Sequence, residues 1–100
     1  MDYEKKLTLH RQQLLPLLLA ENKYLEKLGK DGLDWGAIKA FCIKNLPKDM
    51  GGSEKNFLAE DLVDPLIRDL SQMLKKSIAL YEKYIPEKGV VKKYYRILAV

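Results

Sequence analysis

The segment from residue 66 to residue 85 carries the strongest pattern in this chain, because its apolar residues recur at the spacing of one helix face. At the angular step of an α-helix they cover an arc of about 160°. The apolar positions are Leu66, Ile67, Leu70, Met73, Leu74, Ile78, Leu80, Tyr81, Tyr84 and Ile85. The pattern predicts one long amphipathic helix, which must bury this face against other elements.

The N-terminal part of the chain predicts another helix, over residues 2–28. Asp2 is placed to act as its N-cap and Gly29 as its stop, because a short acceptor side chain begins helices and glycine often ends them. Pro16 interrupts the segment. Since proline cannot donate a backbone hydrogen bond and clashes with the preceding turn, we expect a kink or two consecutive helices there.

The middle of the chain and its C-terminal tail complete the expected set of helices. One helix is predicted over residues 35–46, with Asp34 as its N-cap, and another over residues 57–63. Pro65 then serves as the first residue of the long helix. The tail, residues 90–100, is rich in Val, Tyr and Ile, which favours a strand. Its apolar and polar residues do not alternate, however, and we favour a helix there.

These segments together predict an all-α fold, a compact helical bundle of four to five helices. The chain has 100 residues, 47% of them hydrophobic, which suits one domain with one core, so we assign residues 1–100 to a single helical domain. None of the helices can bury its apolar stripe alone, so the stripes must meet in that core. The residues expected to be buried there are Leu7, Leu14, Leu18, Ile38, Phe41, Leu66, Leu70, Leu74 and Ile78.

Positive charge is concentrated at the C-terminal end of the chain. The net charge is +4, and residues 74–100 carry seven basic and two acidic residues. Most of the basic residues are lysines, which act as point charges on a phosphate backbone and are poor bidentate readers of bases. A charged face that is merely solvated is the alternative interpretation. The candidate nucleic-acid-binding residues are Lys75, Lys76, Lys83, Lys92, Lys93 and Arg96.

The sequence contains few residues in a pattern that could support catalysis. His10 is the one histidine and Cys42 the one cysteine, and both fall on predicted apolar stripes. A nucleophile, a base or a metal needs partner residues at suitable spacings, and neither residue has them in the sequence. We therefore expect a non-enzymatic protein with no catalytic residues, no metal ligands and no cofactor.

Compartment and partners follow from the same composition. The longest apolar run, residues 14–20, is too short to span a bilayer, which takes about 20 residues. A single cysteine fits a reducing, cytoplasmic setting. Leu9 and Leu19 lie off the stripe of the first helix and call for a further core neighbour or another protein. A larger protein or ribonucleoprotein complex is the expected partner, and the sequence leaves a homo-oligomer open.

Size, helix pattern and the basic face of Lys75, Lys76, Lys83, Lys92, Lys93 and Arg96 resemble the small helical subunit of CRISPR surveillance complexes. That resemblance implies an RNA-binding role in antiviral defence, in which the subunit contacts nucleic-acid backbone without catalysis. The chain is also similar in size and lysine content to the bacteriocin immunity proteins, which are small protein-directed bundles. The expected function is thus a non-catalytic helical subunit of a nucleoprotein assembly, with a small inhibitor or immunity protein as the alternative.

Overall fold

The computed structural model describes residues 2–98 as an α+β domain. Its elements are α1 (Tyr3–Ala20), α2 (Asn22–Gly29), β1 (Leu33–Asp34), α3 (Trp35–Asn45), α4 (Gly52–Leu74), β2 (Ile78–Ile85) and β3 (Val90–Ile97). The prediction of an all-α bundle is therefore wrong, because the chain also forms a three-stranded antiparallel sheet from β1, β2 and β3.

The N-terminal helix begins as predicted and is interrupted elsewhere. The Asp2 side chain accepts a hydrogen bond from the backbone of Glu4, which confirms it as the N-cap. Pro16 lies within α1, and the break falls at Glu21, whose backbone is extended. Helix α2 then ends at Gly29 as expected. Pro16 thus occupies the interior of α1 without ending it, although a proline removes one backbone hydrogen bond and crowds the carbonyl four residues earlier.

Helix α4 is continuous through Pro65, so the predicted helix start at that residue is wrong. The helix ends well before residue 85, because Lys75 adopts a left-handed conformation with φ of 55°. The backbone amide of Lys76 donates to the carbonyl of Ser71 at 3.2 Å, and the Ser71 hydroxyl donates to the carbonyl of Lys76. These bonds satisfy the last turn and allow the chain to leave the helix direction.

Residues 78–97 form a β-hairpin where two helical segments were predicted. Strand β2 pairs antiparallel with β3 along its full length, from Ile78 opposite Ile97 to Ile85 opposite Val90. The turn begins at Pro86 and closes with Gly89 at a positive φ of 63°. The helical predictions for the segment up to residue 85 and for the tail are both corrected, although residues 99 and 100 lie outside the described part.

The strands and helices share one core, with α4 packed against both α1 and α3. Six of the predicted core residues are buried, while Leu7, Leu74 and Ile78 are only partly buried. Strand β3 lies in the middle of the sheet, and β1 pairs with it only at Tyr94 and Tyr95. The six predicted residues that are buried are Leu14, Leu18, Ile38, Phe41, Leu66 and Leu70.

No helix among residues 2–98 is long and apolar enough to cross a membrane, as the sequence predicted.

Tyr95 on β3 is buried in the core, and its surroundings allow a prediction about stability. Its side chain is 4% exposed, and its hydroxyl has no hydrogen-bond partner among the described residues. Burying an unpaired hydroxyl costs free energy, so Tyr95→Phe should raise the free energy of unfolding by about 1 kcal/mol. Urea denaturation followed by circular dichroism measures the change.

The matched control for Tyr95→Phe is Tyr81→Phe in the same sheet. The Tyr81 hydroxyl donates to the backbone carbonyl of Asp31 at 2.9 Å. Its removal should therefore lower the free energy of unfolding by about 1 kcal/mol. A loss of stability in both variants would contradict the assignment of an unpaired hydroxyl to Tyr95.

Candidate nucleic-acid interface

The β2–β3 hairpin has two chemically different faces. Directly opposed residues of antiparallel strands project from the same side of the sheet, and successive residues alternate between sides. One side holds the buried Tyr95 and the partly buried Ile78 and Ile97, and it packs against the helices. The other side, called the basic face here, holds Lys83, Lys92 and Arg96 together with the uncharged residues Ala79, Tyr81, Ile85, Val90 and Tyr94.

The structure brings together three of the six predicted binding residues on the basic face: Lys83, Lys92 and Arg96. Lys93 projects from the opposite side, directly across from Glu82. Lys75 and Lys76 lie in the turn between α4 and β2, at the end of the hairpin away from Gly89. The predicted set is therefore divided, because the alternation of a strand separates neighbours that a helix would place on one arc.

Lys83 and Lys92 are direct cross-strand neighbours. Like charges in this position repel, which destabilises a strand pair. Asp34 on β1 partly offsets the repulsion, with its Oδ2 atom 3.5 Å from the Lys92 Nζ atom. Lys83 has no such carboxylate within salt-bridge distance among the described residues, and its side chain is exposed. This end of the basic face thus carries uncompensated positive charge.

Two tyrosines occupy the middle of the basic face. The rings of Tyr81 and Tyr94 are stacked, with centroids 5.6 Å apart and planes inclined by 22°. Tyr81 also bonds to the loop before β1, where Gly32 leaves room for it. The stack links the hairpin to this loop and fixes the strands that carry the basic residues.

The half of the hairpin nearest its turn has little contact with the rest of the domain. Most side chains from Glu82 to Ile85 and from Val90 to Lys93 are exposed, and β1 does not reach these residues. Four residue pairs correspond to about 13 Å of two-stranded ribbon. The lysines of the basic face near this end are accessible to a large partner.

A cleft next to the hairpin contains basic residues that the sequence analysis did not select. It has a volume of about 620 Å³ and is lined by residues of α2 and α3, together with β1 and Tyr94. Helix α2 contributes Lys23, Tyr24 and Lys27, and α3 contributes Lys44. The helical spacing of these lysines was visible in the sequence, but which helices flank a common opening depends on the tertiary fold.

The lining of the cleft includes aromatic residues and small residues. Tyr24 contacts Phe41 edge to face, with ring centroids 5.4 Å apart. Burial raises the pKa of Tyr24 above its ordinary value, so its hydroxyl stays neutral. Ala37 and Ala40 lie on the face of α3 that lines the opening. The cleft therefore combines apolar contact area with positive charge at its rim.

The one histidine and the one cysteine of the chain, His10 and Cys42, are both buried. His10 is 7% exposed, and burial lowers its pKa below the ordinary histidine value. Cys42 is fully buried, and burial raises the pKa of its thiol to about 12, so the thiolate is not formed near neutral pH. Among residues 2–98 there is no group of three or more His, Cys, Asp or Glu side chains that could hold a metal ion.

No protein-family model, no curated protein and no solved structure is significantly similar to this chain.

Proposed function

We propose that this protein is a non-catalytic binding module that contacts nucleic-acid backbone through the basic face of its hairpin, within a larger nucleoprotein assembly. The observation that carries the proposal is the direct opposition of Lys83 and Lys92 on an exposed ribbon. Two opposed lysines weaken the strand pair, and a phosphate group between them would relieve that repulsion.

The shape of the hairpin supports the same partner. A two-stranded antiparallel ribbon fits the major groove of duplex DNA, and several DNA-binding proteins use such ribbons. The basic face carries three cations, and the one carboxylate of β2 and β3, that of Glu82, projects from the opposite face. With two lysines and one arginine, most of its contacts would be to phosphates and independent of base sequence.

Non-catalytic action is part of the proposal. Cys42 is buried with a raised thiol pKa, and His10 is buried away from the solvent. Neither is presented to a substrate in this conformation. A cytoplasmic location also belongs to the proposal, because reducing compartments keep cysteine thiols free, as Cys42 is here.

The test compares two double variants that change the net charge equally. Lys83→Gln/Arg96→Gln removes two exposed cations from the basic face, whereas Lys5→Gln/Lys93→Gln removes two exposed cations elsewhere. Each phosphate contact contributes about −0.9 to the slope of log K against log salt on duplex DNA. The first variant should therefore make that slope shallower by about 1.8.

Fluorescence anisotropy with a labelled duplex at several salt concentrations measures these slopes. The control variant should keep the slope of the unmodified protein. Absence of binding by the unmodified protein, or equal losses in both variants, would contradict the basic face as the site. Thermal denaturation of each variant confirms that the fold is retained.

A protein-directed role is the second candidate, as in a small inhibitor or immunity protein. It is favoured by the apolar side chains that remain exposed on the hairpin side opposite the basic face. Leu80 is 48% exposed, Tyr84 60% and Val91 58%. A partner protein that stays bound to this domain at high salt, where contacts to phosphates are screened, would support this candidate over a nucleic-acid partner.

A further inference from the structure

The cleft between α2 and α3 has the properties of a ligand site. The phosphate contacts proposed for the hairpin give this cleft no role. Its volume of about 620 Å³ lies within the range of small-molecule sites, about 300 to 1,000 Å³. Three lysines and one carboxylate, Asp34, line it. Asp34 already accepts a hydrogen bond from the Gly36 amide and pairs with Lys92. The rim therefore favours an anion.

The lining of the cleft suits a planar group. Three aromatic residues from different elements line it: Tyr24 on α2, Phe41 on α3 and Tyr94 on β3. Ala37 and Ala40 contribute only methyl groups to the lining, so a longer side chain at either position would occupy part of the opening. Aromatic side chains stack on nucleobases with little regard to base identity.

Tyr94 connects the cleft to the hairpin. It lines the cleft, and it also belongs to the basic face, where it lies between Lys92 and Arg96 in β3. A nucleic-acid strand whose phosphates lie along the basic face would thus place the nucleotide that follows these phosphates at the mouth of the cleft. Duplex DNA could not use the cleft, because its bases are paired and stacked.

We propose that the cleft binds one unpaired nucleotide of a single-stranded nucleic acid. The base lies among the aromatic side chains, and the adjacent phosphate is held by Lys27 and Lys44 at the rim. This inference rests on the proposed function, because the basic face supplies the neighbouring phosphate contacts. It adds a preference for single strands, which backbone contacts alone do not create.

The experiment fills the cleft and leaves the hairpin unchanged. Ala40 is exposed on α3 and lines the cleft, and Ala40→Leu adds bulk there at little cost to helix propensity. Ala20→Leu, at the exposed end of α1, is the matched control. Fluorescence anisotropy is measured with a labelled single strand and a labelled duplex of equal length. We expect Ala40→Leu to weaken single-strand binding about tenfold and duplex binding less than about twofold.

A second pair of variants tests the charge at the rim. Lys27→Gln/Lys44→Gln should weaken single-strand binding more than duplex binding, whereas Lys5→Gln/Lys48→Gln should weaken neither selectively. Titration with AMP distinguishes a free nucleotide from one within a strand. AMP should bind more weakly than the single strand, because it cannot reach the basic face.

Each outcome decides between the proposals. Loss of single-strand binding in both cleft variants, with duplex binding retained, supports the cleft as the site of an unpaired nucleotide. Duplex binding with no effect of the cleft variants on the single strand overturns the inference but leaves the basic face in place. AMP that binds more tightly than the single strand also overturns it. Absence of binding to either nucleic acid refutes both proposals.

Discussion

Phe41→Ala should lower the free energy of unfolding by about 3 to 5 kcal/mol, the usual cost of removing a buried phenylalanine ring. Phe41 is 3% exposed and belongs to the core shared by the helices and β3. The substitution would leave a cavity beside α4 and remove the edge-to-face contact with Tyr24. Small domains are stable by only about 5 to 15 kcal/mol, so much of the total would be lost.

Denaturation in urea, followed by circular dichroism at equal protein concentrations, measures this loss. Phe57→Ala is the matched control, because it makes the same chemical change at a residue that is 62% exposed. Phe57 contacts only the edge of Tyr3 among the aromatic rings, at a centroid distance of 6.2 Å. Its replacement should cost less than about 1 kcal/mol. Similar losses in the two variants would show that Phe41 does not lie in the core.

Gly32→Ala should lower the free energy of unfolding by about 2 to 4 kcal/mol. Gly32 has a φ of +103°, a backbone conformation that costs other residues about 1 to 3 kcal/mol. A β-carbon there would also overlap the Tyr81 hydroxyl. The hydrogen bond from Tyr81 to Asp31 would then break, at a further cost of about 1 kcal/mol. Thermal and urea denaturation measure the combined effect.

Two further variants separate the parts of the Gly32 prediction. Gly29→Ala places a methyl group where no atom outside the adjacent residues and the backbone of its own helix lies within 4 Å, so it should not lower the free energy of unfolding. Adding Tyr81→Phe to Gly32→Ala removes the hydroxyl with which the methyl group collides, and it should restore part of the loss. The remaining loss combines the backbone strain with the missing hydrogen bond from Tyr81 to Asp31. If Gly32→Ala were as stable as the unmodified protein, the positive φ would be contradicted.

The hairpin shows why the sequence pattern was misinterpreted. Residues 78–85 contain apolar side chains at helical intervals, and the preceding residues of α4 share the pattern. Two segments rich in Tyr, Val and Ile on either side of Pro86 and Gly89 are, however, also typical of a hairpin. Strict alternation was absent because one half of the hairpin is exposed on both sides, and exposed strands need not alternate.

The candidate site was predicted in part. The sequence identified the basic residues of the C-terminal region, and three of the six lie on one face of the hairpin. It could not separate Lys92 from Lys93, because adjacent residues share an arc in a helix and oppose each other in a strand. The cleft was missed altogether, since Lys23 and Lys44 are far apart in the sequence and become neighbours of one opening only in the folded chain.

The sequence by itself determined the local features whose causes are local. Asp2 and Asp34 cap their helices because a carboxylate can reach backbone amides two residues later, whatever the rest of the chain does. The apolar spacing also identified six buried residues of α1, α3 and α4. Only the tertiary structure decided the state of residues 78–97, where helix and strand patterns compete. There β3 pairs with β2 and β1 and buries Tyr95 against the helices, so the strand composition prevails over the helical spacing of the apolar residues.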